Sequence, residues 1–448
     1  MRNHNAPPAS ARELVASVLT RQAETFPEIE PIELDTSSLD DRDAALAHAL
    51  YDGVIRRWLT LEYLIQSGLK TQFRDLEPPL RAVLLLGAAQ LVLMDRIPAH
   101  AAINEAVEWA KKHIRPGAGA MVNAVLRRVS ESVGQRAGAW NGQTGTLPLA
   151  DGSRQLHGIS LPDEPNHRLG IATSMPRVLL ERLVAQHPID DVRAMCVQAL
   201  SNPPTVLSVR FAKESIPTGW TKPHEREGHA LWTGPRDELA PMLALRADVW
   251  AQDPASSEAV ESIRHLSPKR IIDLCAGQGT KTRQLAHTFP EAKIIATDVD
   301  TDRHRTLSKV FEGHERVRVV SMAEIKQAER GRADLVLLDV PCSNTGVLGR
   351  RVEARYRADA AAIKRLARIQ RQIIEQATDL LSPDGLILYA TCSVDREENQ
   401  DQARWASERF GLSIASERQT LPSSRGTPES SVDGSYSVLL GPRAGRGG

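Results

Sequence analysis

Residues Ile271–Thr282 read IIDLCAGQGTKT. An apolar run ends on an acid, two glycines follow two residues apart, and a polar helix-forming stretch begins. That order spells strand, tight turn, helix. Gly277 and Gly279 let the backbone turn sharply and come close to a ligand. The next apolar run, AKIIATDVD, ends near Asp298. This lies roughly 20 residues beyond the glycines, where an acid accepts hydrogen bonds from ribose hydroxyls. Further runs, VRVVSM, ADLVLLDV, GLILYATC and YSVLLG, continue the strand series, separated by helices such as TKTRQLAHTF and AAAIKRLARIQRQIIEQATDLL. The spacing predicts a mostly parallel, doubly wound α/β sheet over residues 251–443, with ligands at the C-terminal strand ends. A nicotinamide dinucleotide and S-adenosylmethionine both fit this pattern. Thr282 occupies the place of a third glycine, which disfavours the dinucleotide.

Upstream the pattern changes. In residues 9–135 apolar residues recur at helical spacing, as in ARELVASVLTRQAE, YDGVIRRWLTLEYLIQSGL and LRAVLLLGAAQLVLM, predicting an all-α bundle of six or seven helices. Pro98 opens one helix, and His100 reads as a cap for it. Residues 136–175 lose periodicity and read as a linker rich in Gly, Ser and Thr. Residues 176–250 read as a small subdomain of helices followed by strands. The chain has 448 residues, 25% charged and 41% hydrophobic, with a formal net charge of zero, so the expectation is a soluble, cytoplasmic, multidomain protein. No apolar run is long enough to span a membrane, and the first residues lack a signal-peptide core. Four scattered cysteines without a CxxC pair argue against a zinc site or a disulfide framework.

Two of those cysteines stand at strand ends. Cys342 lies in LLDVPCSNTG, three residues after Asp339, and Cys392 lies in LILYATCSVDREEN. Adjacent strand ends face one crevice, so two thiols and a carboxylate converge beside the cofactor. Cys196 and Cys275 read instead as buried small hydrophobes. A thiolate, a carboxylate and a methyl donor together suit alkylation of a pyrimidine at C5. The thiolate adds to C6, an acid at N3 takes up the developing charge, and the resulting enamine carbon attacks a sulfonium methyl. Asp339 suits the N3 role.

The motifs DVPCSNTGVLGRR and YATCSVDREEN resemble motifs four and six of the RNA cytosine-5 methyltransferases, and DLCAGQGTKT resembles their motif one. QDPASS, Gln252–Ser257, is similar to the segment that precedes it. RIPAHAAINEAVEWAKK and VNAVLRR are similar to the NusB-like RNA-binding domain. The combination resembles the Sun/Fmu-type 16S rRNA cytosine-5 methyltransferases. The resemblance implies an N-terminal NusB-like helical bundle joined to a Rossmann-like, S-adenosylmethionine-dependent methyltransferase domain. It makes Cys392 the nucleophile and Cys342 the residue that assists product release. It places the cofactor against the turn Cys275, Ala276, Gly277, Gln278, Gly279, Thr280 and Lys281, with Asp298 on the ribose. Asp339 and Met322 line the same cofactor site.

This sequence departs from the family in places. Gly277-Gln278-Gly279-Thr280 replaces the usual Ala-Pro-Gly-Gly, Met322 stands where an adenine-contacting acid is expected, with Glu324 as a substitute, and Arg210 replaces an asparagine. After motif four, Arg350, Arg351, Arg355 and Arg357 are expected to contact RNA phosphates. The expected partner is 16S rRNA, free or in a pre-ribosomal particle, and the expected state is a monomer without metal. Two alternatives are a tRNA cytosine-5 methyltransferase and a non-catalytic RNA-binding or ribosome-assembly factor.

Overall fold

The computed structural model describes residues 10–424 and 426–442. Both outer bounds of the expected domains, residues 9 and 443, lie outside that span. The chain divides into two compact units. One runs up to Asn202 and recruits Leu348–Asp359, and the other comprises Pro203–Val347 and the chain from Ala360 on. Among the described residues no helix is long and apolar enough to cross a membrane.

The helical unit begins with five α-helices, Ala11–Thr25, Asp41–Gln66, Pro78–Leu93, Ala99–His113 and Ala118–Ser132. Six or seven were expected. The second, Asp41–Gln66, is a single uninterrupted helix of 26 residues capped by the Asp40 side chain. The helix opened by Pro98 has no side-chain cap, and His100 is exposed inside it, so the capping role expected of His100 is not met. The expected linker is also corrected. The strand Val133–Ala137 runs into it from the expected bundle, and with Thr146–Leu149 and Gly152–Leu156 it makes an antiparallel three-stranded sheet, followed by the helix Pro165–Thr173. Side-chain pairing holds this sheet in place: Arg136 and Arg154 both pair with Asp95. Residues 176–250 are not one subdomain. The helices Arg177–Gln186 and Ile189–Gln198 belong to the helical unit. The strands Val206–Ser208, Thr221–Pro223, His229–Trp232 and Trp250–Ala251 form an antiparallel sheet in the other unit.

Arg355, expected on RNA, is 1% exposed in the helical unit. Its guanidinium donates to the carbonyls of Arg56, Thr173, Ala199, Leu348 and Val352. Tyr356 beside it donates to Ile55 O at 2.7 Å, and the buried Arg56 donates to Gly349 O at 3.0 Å. Burial lowers Arg355 only to about 10, so it stays charged at neutral pH. A planar fork of donors suits this cluster of carbonyls, and a phosphate has no access to it. Arg350 and Arg351 are exposed, in a cleft shared with Glu30, Glu33, Asp52 and Glu353. Arg357 is half-buried and pairs with Glu353.

The second unit is built on a seven-stranded sheet: β1 (Arg270–Asp273), β2 (Lys293–Ala296), β3 (Val317–Val319), β4 (Ala333–Asp339), β5 (Leu381–Thr391), β6 (Leu412–Thr420) and β7 (Ser435–Pro442). Their order is β3-β2-β1-β4-β5-β7-β6. All neighbours are parallel except β7, which is antiparallel to both β5 and β6. Strand β6 is an addition to the expected series. Its residues are largely exposed, so it lacks the apolar run that marks a buried strand. Period-two alternation sends Ile271, Ile294, Leu337 and Leu388 to one core and Ile272, Ile295, Leu338 and Tyr389 to the other. The strand order reverses between β1 and β4, which opens a crevice at their C-terminal ends.

Replacing Arg355 with Met is expected to destabilise the helical unit by about 3 kcal/mol or more, because several buried carbonyls lose their donor. Lys is expected to rescue little. Chemical denaturation measures both. A loss under about 1 kcal/mol would show that Arg355 is not a structural anchor.

Candidate active site

The crevice is lined by the three motifs that the sequence singled out. β1 ends in Asp273, and the following turn holds Gly277 at φ 56° and Gly279 at φ 92°. A side chain at Gly279 would collide with Phe311 at 2.6 Å, whereas one at Gly277 would enter open space. Gly279 caps the helix Thr280–Thr288 without any side-chain hydrogen bond, so its N-terminal N–H groups are left for a ligand. Gln278 and Thr280 are exposed on the turn, and Ala276 and Cys275 pack behind it. Asp298, past the end of β2, accepts from Gly277 N and Asp300 N, both at 2.9 Å. A carboxylate has about four acceptor positions, so two remain for ribose hydroxyls. Val299 beside it is 82% exposed. The open glycine, the uncapped helix start and the half-used carboxylate fit S-adenosylmethionine.

The place of the expected adenine acid is different. Met322 starts the helix Met322–Ala328 and packs partly against the core. Glu324 is committed to a capping box, accepting from Ser321 N at 2.9 Å and Ser321 Oγ at 2.8 Å. Its Oε2 is thus taken up by the helix start.

Asp339 ends β4, and its Oδ2 lies 2.7 Å from Lys281 Nζ. Lys281 also donates to Ser256 Oγ at 3.1 Å. Burial alone would lower the lysine, but the Asp339 carboxylate more than offsets this and raises it. The ammonium is thus a fixed charge beside Asp339. Asp273 is fully buried one strand away. It accepts from Thr282 Oγ1 at 2.7 Å, and its Oδ1 has no hydrogen-bond partner. Burial pushes it up to about 7, opposed by Thr282 and aided by Asp339.

The register pairs Asp339 with Ala390, so the chains leaving β4 and β5 run side by side. Cys342 Sγ and Cys392 Sγ lie 3.1 Å apart. The Cys392 thiol also donates to Asn344 Oδ1 at 3.2 Å. Asn344 has a left-handed backbone, φ 62°, which aims its amide back at the cysteines. Gly346 N donates to Cys392 O at 2.9 Å, and any side chain on Gly346 would strike that carbonyl. The bond with Cys392, then burial, push the Cys342 thiol well up, so Cys342 keeps its proton. Of the two cysteines read as buried, Cys196 is buried and its thiol is pushed up to about 12, whereas Cys275 is half-buried on the glycine turn, its thiol also pushed up by burial.

Sequence reading missed Asp273, Ser256, Asn344 and Glu398. Each is an ordinary polar residue whose role comes from a partner distant in sequence. Only the acid-rich run after Cys392 offered a hint.

A crevice of this kind, on this sheet order, fits an S-adenosylmethionine-dependent methyltransferase. Residues 264–410 match the family described as 16S rRNA methyltransferase RsmB/F, and residues 9–131 match the NusB family. Ribosomal RNA small subunit methyltransferase B of Erwinia tasmaniensis is 31% identical over 387 residues, covering 82% of each chain. Its namesake from Cronobacter sakazakii is 29% identical over 384 residues, again covering 82% of each. The chain belongs to this family of small-subunit rRNA methyltransferases. The crystal structure of PH0851 shares the fold, with a TM-score of 0.72 at 19% identity over 98% of this chain and 100% of that one. A methyltransferase homolog protein from Pyrococcus horikoshii gives 0.51 at 19% identity, over 63% of this chain and all of its own.

An acid raised in the native state binds its proton more tightly when folded. Its stabilising contribution is full below the unfolded value of 3.8 and is lost as pH rises towards about 7. Asp273→Asn does not titrate, so it is expected to gain on the wild type between about pH 4 and pH 7. The gain is at most about 1.4 kcal/mol for each step of one in pH. Urea denaturation at several pH values tests this. A pH-independent difference would contradict it.

Proposed function

We propose that the chain methylates C5 of a cytidine in small-subunit rRNA through a covalent adduct between Cys392 and C6. The contact between the two thiols beside Asp339 carries this reading. S-adenosylmethionine supplies an electrophilic methyl group when bound. Cys392 loses its proton to solvent and its thiolate adds to C6. Asp339 meets the N3 edge of the base, with the Lys281 ammonium behind it, and N3 takes up a proton from solvent as the ring gains charge. After the methyl is on C5, the C5 proton passes to solvent as the C5–C6 double bond re-forms, and N3 gives its proton back to solvent. The C6–S bond breaks with its electron pair on Cys392. The thiol of Cys342, which holds its proton, hydrogen-bonds that departing thiolate at close range. Cys392 rather than Cys342 is the nucleophile in this scheme, because a thiol pushed up is a poor source of thiolate.

RNA phosphate contacts are assigned to Arg350, Arg351 and Arg357, not to Arg355. The rRNA substrate, a cytoplasmic setting and a monomeric state are part of this proposal.

Two measurements test it. Labelled S-adenosylmethionine and unmodified 16S rRNA are expected to yield one C5-methylated cytidine by bisulfite sequencing. Transfer to tRNA alone would keep the chemistry and discard the substrate. RNA carrying 5-fluorocytosine is expected to trap a covalent complex with the wild type and with Cys342→Ala, and none with Cys392→Ala. An adduct that survives in Cys392→Ala overturns the choice of nucleophile.

A further inference from the structure

We infer that Glu398 is a positioning residue for product release, acting through the loop that carries Cys342; the inference rests on the reaction proposed above. The loop Pro341–Val347 has no helix or strand of its own, so its shape must come from side chains. Glu398 is 0% exposed and lies in the segment that follows the other cysteine. Its two carboxylate oxygens accept from Ser343 N at 3.0 and 3.2 Å, and Ser343 Oγ also donates to Oε2. Gln370 Nε2 donates to Glu398 Oε1 and to Pro341 O, both at 3.0 Å. The residues immediately before and after Cys342 are therefore held by one carboxylate and one amide.

The neighbouring acid works on the same loop. Asp395, also 0% exposed, accepts from Thr345 Oγ1 at 2.6 Å. Asn399 holds the Cys392 side, donating to Ser393 O at 2.9 Å and accepting from Thr391 Oγ1 at 2.6 Å. Tyr389 OH donates to Glu398 O at 2.6 Å, which ties the clamp to β5. Among the described residues no lysine or arginine pairs with Glu398. Burying a carboxylate without a counter-ion is costly, and burial raises this one. A neutral amide would satisfy a packing role at less cost. A carboxylate is needed where two oxygens must grip a backbone N–H and a hydroxyl at once.

The function of the clamp is to keep the Cys342 thiol beside Cys392 while the adduct decays. In that step the C5–H bond breaks, its proton passes to solvent and its electrons form the C5–C6 double bond. The C6–S bond breaks and its pair stays on Cys392, stabilised by the Cys342 thiol. A displaced Cys342 loop leaves the first attack intact, because Cys392 supplies that sulfur, and slows the decay.

The test compares the full-length wild type, Glu398→Gln, Gln370→Met and Cys342→Ala. With 5-fluorocytosine RNA, Glu398→Gln is expected to form adduct at a rate within about threefold of wild type. With ordinary rRNA and S-adenosylmethionine it is expected to accumulate covalent protein–RNA complex on denaturing gels, as Cys342→Ala does, and to turn over at least tenfold more slowly. Gln370→Met, which loosens the same loop and leaves the carboxylate in place, is expected to shift the same way by a smaller factor. It decides the matter if Glu398→Gln does not fold. Turnover lost in proportion to adduct formation, with no accumulated complex, overturns the positioning role and leaves the C5 reaction standing. A wild type that traps no 5-fluorocytosine RNA overturns both.

Discussion

The register between β4 and β5 is the constraint on which the site depends. Asp339 pairs with Ala390, so the two chains leave the sheet as parallel neighbours. Strands in a sheet lie roughly 4.8 Å apart, so any short excursion past their ends brings side chains into contact. Cys342 and Cys392 meet for this reason, although they lie fifty positions apart in the chain. A slip of one residue would turn Asp339 to the opposite face and separate it from Lys281. Buried residues pin the register on both faces: Leu337 and Leu388 in one core, Leu338 and Tyr389 in the other.

Around that pairing the polar groups divide by task. The cofactor side is open, with a glycine whose missing side chain leaves free space and an acid with acceptor capacity in reserve. The cysteine side is closed, and its buried carboxylates are occupied by hydroxyls and backbone N–H groups. Lys281 stands between the two and pairs with Asp339. Openness where a ligand must enter and saturation where geometry must hold are the same physical rule applied twice. Buried polar groups mostly have their partners in place, and Asp273 Oδ1 is an exception beside Lys281 and Asp339.

The arginines after motif four carry a further lesson. They form a charge run in the sequence, and such a run reads as a solvated or RNA-facing surface. Arg355 breaks that reading because the helical unit offers it a set of backbone carbonyls that need a donor. The same unit takes Val352 and Tyr356 into its apolar core. Composition cannot separate a cation that faces water from one that bridges carbonyls. Only the partners distinguish them.

Local chemistry made the α/β sheet, the glycine turn, Asp298 and both cysteine motifs legible, since each depends on residue type and spacing within a short window. The helical character of the first 135 residues was legible for the same reason. Tertiary structure decided the rest. The exposed strand β6 lacks a hydrophobic signature because no face of it is buried along its length, and the strands of the small sheet within residues 133–156 are only four or five residues long, too short to show a period. The commitment of Glu324 to a helix cap, the anchoring of Arg355 and the grip of Glu398 on Ser343 each join a polar atom to a backbone group. A carboxylate or guanidinium can satisfy itself in many ways, and the fold chooses which partner comes within reach.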